Sequence, residues 1–336
     1  MAELDARGRG KHLWMAAVAC SAAAALSCGS VASTSTSDAG NNSPDGATSD
    51  GGTDTGGGAD AGDASAAPGP CDPSAPFTNI VAATALSAGS VSTDGVAFTS
   101  DGLTAYVSSN RTGTVGGFDI FVSTRSSTTA AWGALTSLPN VNTASQERSP
   151  VLTPDGLTLF FYSDRGGSGY DIYSSTRPSL ISDFGAAATV AMINSTGRDD
   201  TGSITADGQT LYFDSDRSGT GRIYRATLGA SGTFMTPQEV PELDSGGTGN
   251  GGPVISADGL TVYFGRVTSG DPEDVYVAHR TSVADGFGTP TAVTELSSTA
   301  LDFPVWLAPD NCTLYFGSSR NGGSAYGLYT ATRTPH

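Results

Sequence analysis

The sequence predicts an all-β fold, a five-bladed β-propeller of four-stranded blades closed into a ring by an N-terminal strand. Three observations predict it. The phrase Asp-Gly-x-Thr-x-(aromatic)-(apolar) occurs at Asp101, Asp155, Asp207, Asp258 and Asp310, the last with Asn311 in place of glycine. The copies lie 54, 52, 51 and 52 residues apart. A period near 50 with no helical pattern inside it belongs to propellers and solenoids. Residues 77–336 number 260, which is five units of 52.

Each unit divides into four strands. The first ends at the Asp-Gly turn, as in Ala97-Phe98, Val151-Leu152, Ile204, Val254-Ile255 and Trp306-Leu307. The second follows at once, as in Thr104-Ala105-Tyr106-Val107 or Thr210-Leu211-Tyr212-Phe213. β-branched and aromatic residues suit a half-buried pleated strand, and Asp-Gly between two such runs signals a tight hairpin. A Gly- and Ser-rich loop leads to the third strand, at Asp119-Ile120-Phe121, Asp171-Ile172-Tyr173, Ile223-Tyr224, Asp274-Val275-Tyr276 and Leu328-Tyr329. The fourth is expected to begin at Trp132, Phe184, Phe234 and Phe287. No such strand follows the fifth unit. Phe77-Thr78-Asn79-Ile80-Val81-Ala82 precedes the first unit at the matching offset and is expected to fill that place. Closing the ring removes free strand edges, which would otherwise pair with other chains.

The run from Thr153 to Arg165 (Thr-Pro-Asp-Gly-Leu-Thr-Leu-Phe-Phe-Tyr-Ser-Asp-Arg), followed by Tyr170-Asp171-Ile172-Tyr173, resembles the WD40-like repeat of the TolB propeller. The likeness extends over all five copies. It implies a binding platform in the periplasm or at the cell surface, and some propellers of this kind accompany hydrolase domains.

Residues 1–28 read as a lipoprotein-type signal peptide. Arg7, Arg9 and Lys11 give a positive start, and Met15 to Leu26 is an apolar run too short to span a bilayer. Ala25-Leu26-Ser27-Cys28 resembles a lipobox, with Cys28 as the lipid attachment point. Residues 29–70 are almost wholly Ser, Thr, Gly, Asp, Ala, Asn and Pro, a composition that cannot bury enough apolar surface to fold. They form the expected disordered linker, with a reach of about 35–40 Å. The propeller domain is assigned to residues 71–336. The expected location is exported and membrane-anchored, periplasmic or cell-surface, and outer-membrane in a Gram-negative host. Membrane contact is expected through the lipidated terminus alone.

Four cysteines are present. Cys20 and Cys28 fall in the signal. Cys71 precedes the closing strand, and Cys312 follows the turn of the fifth unit. In an up-and-down blade these positions share one end, so a Cys71–Cys312 disulfide is expected to staple the ring, consistent with an oxidising compartment. The alternative is a pair of half-buried free thiols.

The net charge is −17, and Lys11 is the only lysine. This balance opposes binding to nucleic-acid phosphates and a polybasic grip on lipid. Lack of lysine excludes a Schiff base and a P-loop. The histidines are His12, His279 and His336. A Ser-His-Asp arrangement would need His279, which occupies a repeat position where other units carry threonine. His and Cys are too few for a zinc site. The repeated aspartates of the turns, and the pairs Asn110-Arg111, Asp164-Arg165, Asp216-Arg217 and Ser319-Arg320, are read as structural.

The binding candidates are Asp94, Glu147, Asp199 and Asp302, seven or eight residues before each Asp-Gly. They are expected to crowd one mouth of the central channel. Converging oxygens there suit Ca²⁺, a basic peptide or an amine, with no other cofactor expected. The plainer reading is a solvated acidic rim. The resulting expectation is no enzyme but a binding or scaffold module, taking an envelope or extracellular protein, a peptide or a glycan at a propeller face. A carbohydrate-active enzyme using channel-mouth carboxylates, or a structural envelope protein without a ligand, are the competitors.

Overall fold

The computed structural model describes residues 71–87, 92–167, 169–322 and 325–334. The expected signal with Cys28 and the linker over 29–70 lie outside the described residues. Five antiparallel four-stranded sheets make up the domain. Blade one holds β2 (Thr93–Phe98), β3 (Thr104–Ser109), β4 (Asp119–Thr124) and β5 (Thr136–Ser137). Blade two holds β6 (Glu147–Leu152), β7 (Thr158–Ser163), β8 (Asp171–Thr176) and β9 (Ala188–Thr189). Blade three holds β10 (Asp199–Ile204), β11 (Thr210–Ser215), β12 (Arg222–Thr227) and β13 (Gln238–Glu239). Blade four holds β14 (Gly249–Ile255), β15 (Thr261–Val267), β16 (Asp274–His279) and β17 (Thr291–Ala292). Blade five holds β18 (Asp302–Leu307), β19 (Thr313–Ser318) and β20 (Gly327–Thr332), completed by β1 (Thr78–Ala82).

The ring closes as the repeat arithmetic requires. β1 lies antiparallel to β20, with Val81 opposite Thr330 and Ala82 opposite Tyr329. Cys71 and Cys312 form a disulfide across 241 residues of chain. The backbone N–H of Cys71 also donates to the carbonyl of Asp310, 2.8 Å away. Covalent and hydrogen-bonded closure thus coincide.

The outermost strands differ from expectation. They are two residues long and start about four residues after Trp132, Phe184, Phe234 and Phe287. Both of their residues are exposed in every case, so only a short edge is left unpaired. The aromatics turn inward instead and carry the arginines that end the third strands. Arg125, Arg177, Arg280 and Arg333 lie 3.8–4.6 Å from the ring centroids of Trp132, Phe184, Phe287 and Phe77.

These arginines also tie neighbouring blades. Arg177 donates to the hydroxyl of Tyr106 at 2.9 Å, Arg333 to that of Tyr263 at 2.6 Å, and Arg280 to that of Tyr212 at 3.5 Å. Between blades two and three both partners change. Phe160 replaces the tyrosine, and Leu228 takes the arginine position, packed with Phe234 in one apolar cluster. A buried guanidinium without an acceptor is costly, so the two losses belong together.

The Asp-Gly turns are held by a four-centre pattern. Asp155 Oδ1 accepts from the Thr153 hydroxyl at 2.6 Å and the Leu157 N–H at 2.9 Å. Asp101, Asp207 and Asp258 repeat this with Thr99, Thr205 and Ser256. The working hydroxyl therefore precedes the aspartate. The threonine after the glycine joins the turn through its backbone N–H, which donates to that hydroxyl. Glycine stands at φ of 67–72° in four turns, and Asn311 takes φ of 61° in the fifth. Ala308 offers no hydroxyl there, and the disulfide reinforces that turn.

Two predictions follow from closure and from the turns. Replacing Cys312 by Ser removes the staple, and the entropic model gives a loss of roughly 4–5 kcal/mol, reduced by any native strain. Urea unfolding of the variant, and of the parent with and without reductant, measures it. Hydrogen bonds from the threonine hydroxyls and backbone lower the pKa of Asp101, Asp155 and Asp207. A carboxyl lowered on folding adds stability above its unfolded value, about 3.9, and that stability fades as pH falls through the folded value. Replacing all three by Asn should flatten the acid limb of the stability–pH curve. An unchanged slope would assign acid sensitivity to other groups.

Candidate functional site

The four sequence candidates do not share one environment. Strand register shows why. Pairing aligns Thr93, Glu147, Asp199, Asn250 and Asp302 at one level, opposite Ser109, Ser163, Ser215, Arg266 and Ser318. Asp94 stands one residue further on, level with Arg148, Asp200, Gly251 and Phe303. Adjacent residues on a strand face opposite ways. Counting back from the turns merges the two levels.

Glu147, Asp199 and Asp302 are fully buried rather than set around a mouth. Each carboxylate fastens the loop that enters its blade. Glu147 accepts from the N–H and hydroxyl of Thr143 at 2.9 and 2.7 Å. Asp199 accepts from both groups of Ser195 at 2.6 and 2.9 Å, and Asp302 from both groups of Ser298 at 2.7 and 2.6 Å. The other carboxylate oxygen of Asp199 and Asp302 meets Arg217 or Arg320 at 2.7–2.8 Å, and Arg165 meets Glu147 Oε1, which also accepts the Thr143 hydroxyl, at 2.9 Å. Burial raises the pKa of Glu147, opposed by its bonds from Thr143 and by Arg165 and Ser163.

The same arginines donate to the carbonyls of Val141, Ile193 and Leu296 at 2.5–2.8 Å. They also lie over aromatic pairs. Arg217, for example, is 5.2 Å from the Phe213 centroid and 4.7 Å from that of Tyr224. The Asp-Arg and Ser-Arg pairs are structural as expected, but their reach runs from one blade's loop into the preceding linker.

Blades one and four vary this node. In blade four the guanidinium comes from Arg266, which donates to Asn250 at 3.0 Å and to the Leu243 carbonyl at 2.5 Å. Asn250 passes the bond to Asp244 at 2.9 Å. In blade one Thr93 takes the carboxylate's place. Arg111 keeps its bond to the Leu86 carbonyl at 3.1 Å and its place over Phe121, but its buried Nε has no hydrogen-bond partner. Burial lowers the Arg111 pKa.

The channel level is different. A cavity of about 50 Å³ on the ring axis is lined by Asp94, Arg148, Asp200, Tyr162, Phe303 and Tyr326, with backbone from the innermost strands. All five innermost strands carry a register shift at this point. Such bulges re-aim side chains. Gly202 permits the close approach, since a Cβ there would sit 2.5 Å from the Pro253 carbonyl oxygen. Arg148 Nε donates to Asp94 at 2.6 Å, and its guanidinium lies 4.0 Å from the Phe118 centroid. Asp94 also accepts from Ser108 at 2.7 Å. Asp200 lies 3.8 Å from Arg198, which donates to Asp214 at 3.3 Å. Asp214 in turn accepts from the Gly252 N–H at 2.8 Å.

Of the four candidates, then, the structure brings only Asp94 to the channel, together with Arg148 and Asp200. Both neighbours were visible beside Glu147 and Asp199, but the bulge was not. The oxygens expected to converge for Ca²⁺ are engaged with arginines, and among the described residues no group of three or more His, Cys, Asp or Glu could hold a metal ion. His279 Nδ1 sits 3.0 Å from the Thr261 hydroxyl.

This geometry defines a five-bladed β-propeller. No family model matches the chain, and no curated protein matches it. Solved structures do. TolB from Acinetobacter baumannii aligns at 19% identity and a TM-score of 0.46, over 73% of this chain and 56% of that one. The present chain thus spans little more than half of that TolB. An endo-arabinase from Bacteroides thetaiotaomicron aligns at 15% identity and a TM-score of 0.49, over 77% of this chain and 98% of that one. The Bacteroides ovatus protein titled Xyloglucan PUL GH43B aligns at 15% identity and a TM-score of 0.50, over 76% of this chain and 54% of that one. These neighbours correct one expectation. The sequence reading expected no enzyme, with a carbohydrate-active enzyme as a competitor, yet the same propeller fold is found among glycoside hydrolases, so that expectation does not stand.

The node predicts unequal costs. Replacing Arg217 by Met strands the buried Asp199 carboxylate and should cost about 3–5 kcal/mol. Replacing Arg111 by Met strands no carboxylate and should cost less than half as much. Denaturant titration of both variants checks the difference, and equal losses would remove the carboxylate from the explanation.

Proposed function

We propose that this propeller is a binding module working outside the cytoplasm, which takes a protein, peptide or glycan at the face where the innermost strands begin. One observation carries the reading. Asp94, Arg148 and Asp200 meet Tyr162, Phe303 and Tyr326 around the axis, so charge and aromatic surface of both hydrogen-bonding senses gather at one mouth. Few precisely placed polar groups among aromatics characterise binding sites. The cavity itself holds only a few water molecules. A ligand therefore rests across the mouth instead of threading the ring.

The disulfide supports an exported location, since such bonds persist in oxidising compartments. A lipid anchor at Cys28 remains part of the proposal, as does a stalk over 29–70. The acidic balance favours partners that are neutral or basic.

A second reading rests on Asp94 and Asp200. Two carboxylates beside one mouth can serve glycan hydrolysis if they flank a scissile bond at about 5–5.5 Å or 6.5–9.5 Å separation. The experiment that separates the readings uses the full chain and the variants Asp94→Asn and Asp200→Asn. Each is assayed for partner capture from envelope extracts and for turnover on a glycan panel. A binding module should enrich a partner, and each substitution should weaken capture several-fold. Loss of turnover by orders of magnitude at one position would establish the hydrolase. No enrichment and no turnover would overturn both.

A further inference from the structure

The repeat is broken a second time away from the axis. Between blades three and four lies a cleft of about 700 Å³ at the end of the ring that carries the Asp-Gly turns. Its size falls within the range of small-ligand sites. Its walls include Asp207, Thr210 and Thr227 with Arg225 from blade three, and Asp258 with Arg280 from blade four.

Arg225 is the anomaly. Its register places it opposite Tyr212 and Gln238. The other blades put Val122, Ser174, Val277 and Thr330 at that level. None of these is charged, so the fold does not need a cation there. Every other arginine of the nodes and ties described above bonds a carboxylate, carbonyl or hydroxyl. Half-buried Arg225 makes no hydrogen bond or ion pair among the described residues.

Arg280 shares the cleft. Its Nε is fixed to the Gly259 carbonyl at 2.7 Å, but its terminal nitrogens are held loosely, 3.4 Å from the Asp285 carbonyl and 3.5 Å from the Tyr212 hydroxyl. The matching ties at Tyr106 and Tyr263 are 2.9 and 2.6 Å. The cleft thus occurs where the inter-blade tie is longest, and it offers two guanidinium groups with donor capacity left.

The acceptors narrow the ligand. Asp207 and Asp258 each use Oδ1 within their own turns. Their second oxygens, the Thr210 and Thr227 hydroxyls and the Gln238 amide suit a ligand rich in hydroxyls. A polyanion would meet both aspartates and an overall charge of −17. A sugar chain with one carboxylate on each hydroxyl-rich unit lessens that repulsion, and one such carboxylate pairs with the arginine fork.

We propose that the cleft between blades three and four is a binding site for an acidic saccharide, a uronate whose carboxylate pairs with Arg225 and Arg280 and whose hydroxyls meet Asp207, Asp258 and the threonines. This site lies at the opposite end of the ring from the channel mouth and does not depend on the function proposed there.

Calorimetric titration of the full chain with digalacturonate tests it, with neutral galactobiose and tri-glutamate as comparison ligands. Digalacturonate should bind, and the two comparison ligands should bind at least tenfold more weakly. Arg225→Gln should weaken digalacturonate binding at least tenfold while leaving thermal unfolding unchanged, because Arg225 makes no hydrogen bond or ion pair among the described residues. Arg225→Lys should recover part of the affinity. No binding of digalacturonate, equal binding of galactobiose, tighter binding of tri-glutamate, or an undiminished affinity in Arg225→Gln would each overturn the proposal. Loss of binding in Asp94→Asn with retention in Arg225→Gln would move the site to the channel and overturn it as well.

Discussion

The ring depends on a guanidinium laid over the aromatic side chains of each blade, two rings in blades two to five and Phe121 alone in blade one. Arg111, Arg165, Arg217, Arg266 and Arg320 each donate to the carbonyl of a residue in the linker leading into their own blade: Leu86, Val141, Ile193, Leu243 and Leu296. Each lies over aromatic side chains of its own blade. A carbonyl in such a place could not be left without a donor. Lysine could not substitute, because the plane of the guanidinium both stacks and forks. The absence of lysine beyond Lys11 agrees with that demand. Where a carboxylate joins the node, it ties the linker turn to the same point, and three or four hydrogen bonds then converge inside a low-dielectric region. Such networks are strong when complete and costly when one member is removed.

Propeller blades otherwise touch through apolar faces, which are non-directional. Each junction has its own small core, as Phe213 with Ile193 and Phe234, or Phe264 with Leu243 and Phe287. Apolar packing fixes spacing but not rotation about the ring. The arginine ties to Tyr106, Tyr212 and Tyr263 supply the missing direction. The junction of blades two and three manages with Phe160 and Leu228 alone. Its neighbour between blades three and four keeps the tie in its longest form.

Much of this was legible in the sequence. The turn phrase fixed the number of blades, and its offset from Phe77 fixed how the ring closes. Cys71 and Cys312 could be paired because up-and-down connection brings their positions to one end. What was not legible was the direction of side chains on the innermost strands. Glu147, Asp199 and Asp302 stand eight residues before their turn aspartates and Asp94 seven, so a count that accepts either number merges two levels. That single residue decides whether a carboxylate faces the axis or disappears between blades. Likewise the repeated arginine suggested loop order, but its target lies about 24 residues earlier in the chain and carries no mark of its role. Val141, Ile193 and Leu296 contribute only a carbonyl, which any residue could provide.

Repetition itself then becomes a guide to what the fold does not require. A residue present in every blade answers a need that every blade has, and the node arginines are of this kind. A residue that departs from the repeat without a compensating partner answers some other need. Thr93 departs, and it leaves Arg111 with an unsatisfied nitrogen, so the departure has a structural cost. Phe160 departs together with Leu228, so that change balances itself. Asp94, Arg148 and Asp200 occupy a level where blades four and five carry Gly251 and Phe303. They form their own charge set on one side of the axis. Arg225 departs alone, where apolar or hydroxyl side chains suffice elsewhere, and it makes no hydrogen bond or ion pair among the described residues. The cleft gathers this guanidinium and that of Arg280, whose terminal nitrogens are loosely held, on its walls. A fold gains nothing from that arrangement, whereas a ligand carboxylate pairs with both guanidinium groups and fills the space between two blades at the same time.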